Sequence, residues 1–119
     1  MDSLGHVNNA TILTLLEEGR VRLLLDADLP AEKRSYRLVV ARNEIDYVLP
    51  LYYSLAPVQM RVWVDRLGRS SFTFGSEIDQ SGHTVVRART VVVAVNVDGS
   101  GSMPLPDDAR MALARYQPR

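Results

Sequence analysis

Residues 9–27 carry an apolar stripe too wide for a helix that merely lies on a surface, and the apolar runs between residues 36 and 97 read as strand. Ile12, Leu13, Leu16, Leu23 and Leu24 recur at three- and four-residue steps, and Leu15 and Leu25 broaden the stripe. A stripe of that width predicts a helix wrapped by a sheet. Asn8 or Asn9 can cap its start through a side-chain oxygen. Glu18 and Arg22 stand four apart and Glu17 and Arg20 three apart, the spacing of ion pairs along a helix, which predicts structural roles for both acids. Gly19 costs about 1 kcal/mol against alanine in mid-helix, so a neighbouring backbone is expected to approach closely there. Residues 26–30 end the helix, and 31–35 read as a charged loop.

The rest of the chain has the period and composition of β-structure. Residues 36–47 are rich in Val, Ile and Tyr, and Pro50 closes them because proline cannot donate to a ladder. Residues 51–57 connect to an alternating run in which Val58, Met60, Val62 and Val64 interleave with Gln59, Arg61, Trp63 and Asp65, a half-buried strand. A turn at 66–69 leads to a strand over 71–78 with Phe72, Phe74 and Ile78 on one face, and 79–82 turns again. The last strand, 83–97, alternates at first and then becomes continuously apolar through Val91, Val92, Val93, Ala94 and Val95. A strand apolar on both faces needs cover on both. One helix covers one face, so a second subunit is expected on the other. Residues 98–106 form a Gly/Ser/Pro loop, after which Asp107 is placed to cap a short helix running to Tyr116. One helix followed by an antiparallel meander makes a single α+β domain over residues 1–119, with the sheet curled round the helix.

Composition removes several function classes. Fourteen basic residues balance fourteen acidic ones, which argues against nucleic-acid or membrane-surface binding. Lys33 is the only lysine, so the other basic residues are arginines, suited in shape to phosphate. No cysteine is present, so there is no disulfide, thiolate metal site or cysteine nucleophile. Two histidines at unrelated positions and scattered acids make no metal constellation. No targeting segment or long apolar span is seen, and the chain reads as soluble and cytoplasmic.

Chemistry concentrates ahead of the helix. Asp2-Ser3-Leu4-Gly5-His6-Val7-Asn8-Asn9-Ala10 sets a carboxylate, a glycine turn, an imidazole and two carboxamides against the helix start. Free N–H groups there can polarise a carbonyl while the carboxylate activates water, which is a hydrolytic arrangement.

The run Asp2-x-x-Gly5-His6-Val7-Asn8-Asn9-Ala10, with Glu17-x-x-Arg20 further along, resembles the hotdog-fold acyl-CoA thioesterases of the 4-hydroxybenzoyl-CoA thioesterase type. Asn43-Glu44-Ile45-Asp46-Tyr47 with Pro50, then Leu67 through Phe72, the Val-rich last strand and the Pro-Leu-Pro loop match in order, so the resemblance covers essentially the whole chain. It implies a long central helix wrapped by a curved antiparallel sheet, subunits pairing their sheets into dimers or tetramers, and active sites at the dimer interface. It implies an acyl-CoA substrate and no cofactor. Asp2 matches the catalytic carboxylate, either general base or nucleophile. Asn9 falls where a backbone N–H at the helix start binds the thioester oxygen, and Gly5 makes the turn that brings carboxylate and helix end together. Asn8 stabilises that loop. Arg69, Ser70 and Ser71 fall in the turn that contacts the phosphates of coenzyme A, and Tyr47 falls near the acyl pocket. His6 matches a functional histidine of the plant-type acyl-ACP thioesterases, although Leu4 stands where those proteins have asparagine.

Relatives carry a further strand before the motif, and here the chain starts at Met1. The resemblance therefore implies a hotdog lacking its first strand or a start site placed too late. The 119-residue form is expected to be less active than an extended one, since an α-amino charge beside Asp2 makes it a weaker base. The rival readings are an acyl-ACP thioesterase, which would need a basic landing patch, and a non-catalytic hotdog that binds acyl-CoA or serves as a structural partner.

Overall fold

The computed structural model describes residues 8–52 and 57–119. Helix α1 spans Asn9–Asp26, followed by strands β1 (Arg37–Tyr47), β2 (Gln59–Leu67), β3 (Ser71–Gln80) and β4 (His83–Val95), and helix α2 (Asp107–Ala114). A single 3-10 turn, Ala31–Lys33, lies in the expected charged loop. The strands form one antiparallel sheet in the order β1-β4-β3-β2, so β4 lies inside the sheet, paired with β1 on one side and β3 on the other. Strand β2 runs through to Leu67 because the register shifts between Val64 and Arg66, a bulge that carries the pairing into the expected turn. No helix among the described residues is long and apolar enough to cross a membrane.

Two apolar clusters lie between the sheet and its helices. Ile12, Leu16, Leu51, Ile78, Val85, Val86 and Ala88 form one under the start of α1. Leu23, Tyr36, Val64, Phe72, Phe74, Val92, Ala94 and the α2 residues Ala109, Ala112 and Leu113 belong to the other. The helix therefore runs along β4, with its N-terminus at the Val86 end and its C-terminal half over the Val92 end. Phe72 and Phe74, expected on one face, meet edge to face at 5.0 Å.

Three expectations from the sequence are revised. Gly19 is approached by side chains, not backbone: a Cβ there would lie 2.8 Å from Met60 Sδ and 2.9 Å from a Val62 methyl, so α1 is seated toward β2. Asp107 does not cap α2. Pro106 occupies the cap position without a side-chain bond, and Asp107 and Asp108 sit in the first turn, where their charges favour the positive end of the helix dipole. Neither Glu17–Arg20 nor Glu18–Arg22 closes to salt-bridge distance among the described residues, and Arg20 turns inward to the sheet instead.

On the outer face of the sheet, register lines up Asp46, Arg87, Glu77 and Arg61 across all four strands. Arg61 and Arg87 reach Glu77 at 2.9 and 3.2 Å, and Arg61 also bonds Asp79. The Arg61 guanidinium holds both the Glu77 and the Asp79 carboxyl below the usual carboxylate range. In the next row Trp63 lies directly over Gly75: a Cβ at Gly75 would come within 2.3 Å of the indole. Gly75→Ala is expected to push the indole off the sheet and cost about 1–3 kcal/mol, as overpacking does. Trp63 is the only tryptophan, so a red-shifted emission maximum together with a lower denaturation midpoint would report both effects. An unchanged spectrum would mean that the indole does not rest on Gly75.

Candidate active site

Asn8 caps α1. Its backbone is extended (φ −75°, ψ 164°), and its Oδ1 accepts from the Thr11 N–H at 2.9 Å and the Thr11 hydroxyl at 3.1 Å. The Asn8 carbonyl accepts the first helical bond, from Ile12 N–H at 3.2 Å. Thr11 and Ile12 are thereby satisfied. The N–H groups of Asn9 and Ala10 have no acceptor among the described residues, and no acid stands in the first turn. Among the described residues, two donors at the positive end of an 18-residue helix are thus without an acceptor. An oxygen gaining negative charge would be stabilised there.

The rim of this helix end is apolar. Tyr47, Val48 and Leu49 are each a little under half exposed. Behind them Leu51 is buried against Ile12 and Leu16. Gln80, itself buried, clamps the same segment: its Oε1 accepts from the Tyr52 N–H while its Nε2 donates to the Tyr52 carbonyl. The side-chain amide thus takes the place of a peptide group at the edge of β3.

Of the residues singled out from the sequence, Asp2, Gly5 and His6 lie outside the described residues. Asn8, Asn9 and Tyr47 gather at the start of α1. Arg69, Ser70 and Ser71 do not join them. Their turn is closed by Gly68 N–H to Ser71 carbonyl at 2.7 Å, and Ser70 and Arg69 carbonyls accept from Ala94 and Leu105. Arg110 of α2 also donates to the Gly68 carbonyl. Ser71 pairs with Val93 while the helix start packs near Val86. Seven residues of strand separate the two places, roughly 23 Å.

One polar element escaped the sequence reading. Arg20 Nη1 donates to Thr90 Oγ1 at 3.4 Å, and Thr90 Oγ1 donates to Asn43 Oδ1 at 2.7 Å. Thr90 is only 1% exposed. Burial lowers the Arg20 pKa, and the charge of Glu17 opposes that shift. The bridge joins α1, β4 and β1; Arg20 and Asn43 stand in segments that carry the family resemblance, and Thr90 interrupts the apolar inner face of β4.

Comparison with known proteins gives this geometry a family. A family model described as the thioesterase-like superfamily matches residues 1–113. A search of curated proteins finds no match. Among solved structures, a predicted thioesterase from Bacillus stearothermophilus is 35% identical, with 99% of this chain and 90% of that one covered and a TM-score of 0.83. A thioesterase from Thermus thermophilus, solved in complex with coenzyme A and zinc, is 32% identical over 98% of this chain and 85% of that one, with a TM-score of 0.81. A 1,4-dihydroxy-2-naphthoyl-CoA thioesterase from Synechocystis, 20% identical over 96% and 87% of the two chains, has a TM-score of 0.85 and shares the fold. Helix, curved four-stranded sheet and these neighbours together make the fold a hotdog.

Proposed function

Since the chain belongs to the thioesterase-like superfamily, we propose that it hydrolyses an acyl-CoA thioester to the free acid and coenzyme A, and does so at the start of α1. The observation that carries this reading is the pair of N–H groups at Asn9 and Ala10 that have no acceptor among the described residues, on a helix end with an apolar rim and no acid in its first turn. The thioester carbonyl lies against those donors. Asp2, six residues ahead of the cap in sequence, takes a proton from water as the water oxygen bonds to the carbonyl carbon. Alternatively, the Asp2 carboxylate attacks directly and water later opens the anhydride. Negative charge grows on the carbonyl oxygen, where the helix end stabilises it. The carbon–sulfur bond then breaks, and the thiolate leaves and is protonated. Gly5, His6 and Asn8 shape the loop that brings Asp2 to the helix end.

The working unit in this reading is at least a dimer. Arg69, Ser70 and Ser71 lie at the far end of the sheet from the helix start of the same chain, and among the described residues the sheet order leaves one edge of β1 unpaired. Antiparallel pairing of two β1 edges reverses the ends. It brings the 68–71 turn of one copy toward the α1 start of the other, so that Arg69 meets the phosphates of a coenzyme A whose thioester lies on the neighbouring helix. The half-buried Val91, Val93 and Val95 on the outer face leave a further surface for tetramer formation. A cytoplasmic location belongs to the same reading.

Free-thiol release from short, medium, long and aromatic acyl-CoAs, set beside the same acyl groups on a carrier protein, tests the reaction. Release from at least one CoA thioester, faster than from its carrier-protein counterpart, is expected. Saturable acyl-CoA binding with no release from any member would overturn hydrolysis in favour of a binding protein.

A further inference from the structure

Because α1 is seated toward β2 through Gly19, Met60 and Val62, it leaves the opposite side of the inner face open. Register puts Tyr47, Ile45, Asn43 and Val40 on that face, opposite Val86, Ala88, Thr90 and Val92. Yet Tyr47 and Val40 are 45% and 46% exposed, and Asn43 is exposed as well. The result is a trough running beside α1 along β1, starting at the helix N-terminus. Its floor is apolar at Tyr47 and Ile45, polar at Asn43, and apolar again at Val40.

The polar step is built from donors. Thr90 Oγ1 is committed on both sides, accepting from Arg20 and donating to Asn43 Oδ1. That contact turns the remaining Asn43 group, its NH2, into a donor with no partner among the described residues. Arg20 has five N–H donors and spends one of them on Thr90. No carboxylate lies within salt-bridge distance of it among the described residues. An apolar groove with a few convergent polar groups is the common form of a small-molecule site, and those groups fix what binds and where. Here every convergent group donates, and one is a permanent cation. Four residues of strand separate Asn43 from Tyr47 at the helix end, about 13 Å.

We propose that Arg20 and Asn43 form a carboxylate subsite at the distal end of the acyl trough, so that the favoured substrates are CoA monothioesters of medium-length dicarboxylic acids. Thr90 is a positioning residue that fixes the direction in which the Asn43 amide points. This assignment rests on the reading that the thioester reacts at the start of α1. Unsubstituted acyl chains of the same length leave the guanidinium unmatched, and longer dicarboxylic chains overshoot it.

Two measurements test the subsite. In the first, kcat/KM for suberoyl-CoA is compared with that for octanoyl-CoA in the native protein, in Arg20→Gln and in Asn43→Asp. The native protein is expected to favour suberoyl-CoA by about tenfold or more, the scale of one charged hydrogen-bonded contact. Each variant is expected to lose at least about tenfold more on suberoyl-CoA than on octanoyl-CoA, chiefly through KM. Equal rates for the two thioesters in the native protein, or equal losses on both in the variants, would overturn the subsite and leave the bridge a structural one. Asn43 is exposed, so Asn43→Asp remains informative if Arg20→Gln folds poorly. In the second, calorimetric titration with free suberate and with uncharged octanamide reads the subsite without turnover. Suberate binding that is lost in Arg20→Gln supports the subsite even if no thioester is hydrolysed, in which case hydrolysis alone fails. No difference between suberate and octanamide binding to the native protein would sink the subsite whatever the thioesters do.

Discussion

Asp2→Asn is expected to reduce thiol release from the best acyl-CoA by about a hundredfold or more, the low end of what a positioned acid or base contributes. The amide is nearly the same size as the carboxylate but can neither take a proton from water nor attack a carbonyl. The helix-end donors remain, so a residual rate above that of free thioester in water should persist. Stability should not change, since the two side chains are nearly isosteric, and circular dichroism melts of the two proteins should superimpose. Turnover unaffected by the substitution would remove Asp2 from the mechanism. The same variant also probes the composite site. Arg69→Ala should raise KM for the CoA thioester while leaving the helix end intact. If each site draws Asp2 and Arg69 from different copies, mixed dimers of the two variants contain one site with both groups intact, and co-refolding should recover a substantial part of the native rate. No recovery on mixing, with mixed dimers verified by mass, would mean that Arg69 does not serve the neighbouring copy's site.

Leu16→Ala is expected to be the most damaging of these substitutions for folding. Leu16 is 1% exposed and packs with Ile12, Leu51, Ile78, Val86 and Ala88 directly beneath the start of α1. Truncation removes the transfer free energy of the lost carbons and leaves a cavity, together about 2–5 kcal/mol. For a domain this small that is a large part of the total stability. A denaturant titration should show a lower midpoint with an unchanged slope. Because the same cluster seats both the helix end and Leu51, activity should fall as well. Excess substrate should recover little of it, since displaced donors affect the transition state as well as binding. A loss below about 1 kcal/mol would mean that the cluster collapses around the missing side chain.

Much of this architecture was legible from periodicity. The apolar stripe from Ile12 to Leu24 and the alternation from Val58 to Asp65 each demand one kind of element. Their boundaries in the structure lie within a few residues of those expected, with turns at 68–71 and at 81–82, where Gly82 takes a positive φ. The helix start was legible too, because an asparagine ahead of an apolar stripe has one common use, and Asn8 has it. What local spacing could not carry was any contact made across the sheet. Glu17 and Glu18 sit at ideal intervals from Arg20 and Arg22, and helix geometry alone favours those pairs. Arg20 instead finds Thr90, seventy residues away, because a buried threonine and a half-covered groove offer it an acceptor that the helix surface does not. Gly19 and Gly75 were likewise readable only as costs until Met60 and Trp63 were seen to fill the space that a Cβ would need. Asp107 had a cap's chemistry but the wrong position, since Pro106 already provides the extended backbone that a cap requires.

The clamp that Gln80 closes on Tyr52 separates two tasks that most loops must combine. Leu51 and the Gln80 amide set where the segment after β1 lies, one by filling the core and the other by completing a ladder with a side chain. Tyr47, Val48 and Leu49 are then free of that duty, and each keeps nearly half of its surface exposed beside the helix start. These residues can therefore change in size and polarity while the helix end and its donors stay in place. In a scaffold of this kind, acceptance of a new acyl group becomes a matter of altering a rim, with the reacting geometry held by residues that never meet the acyl chain.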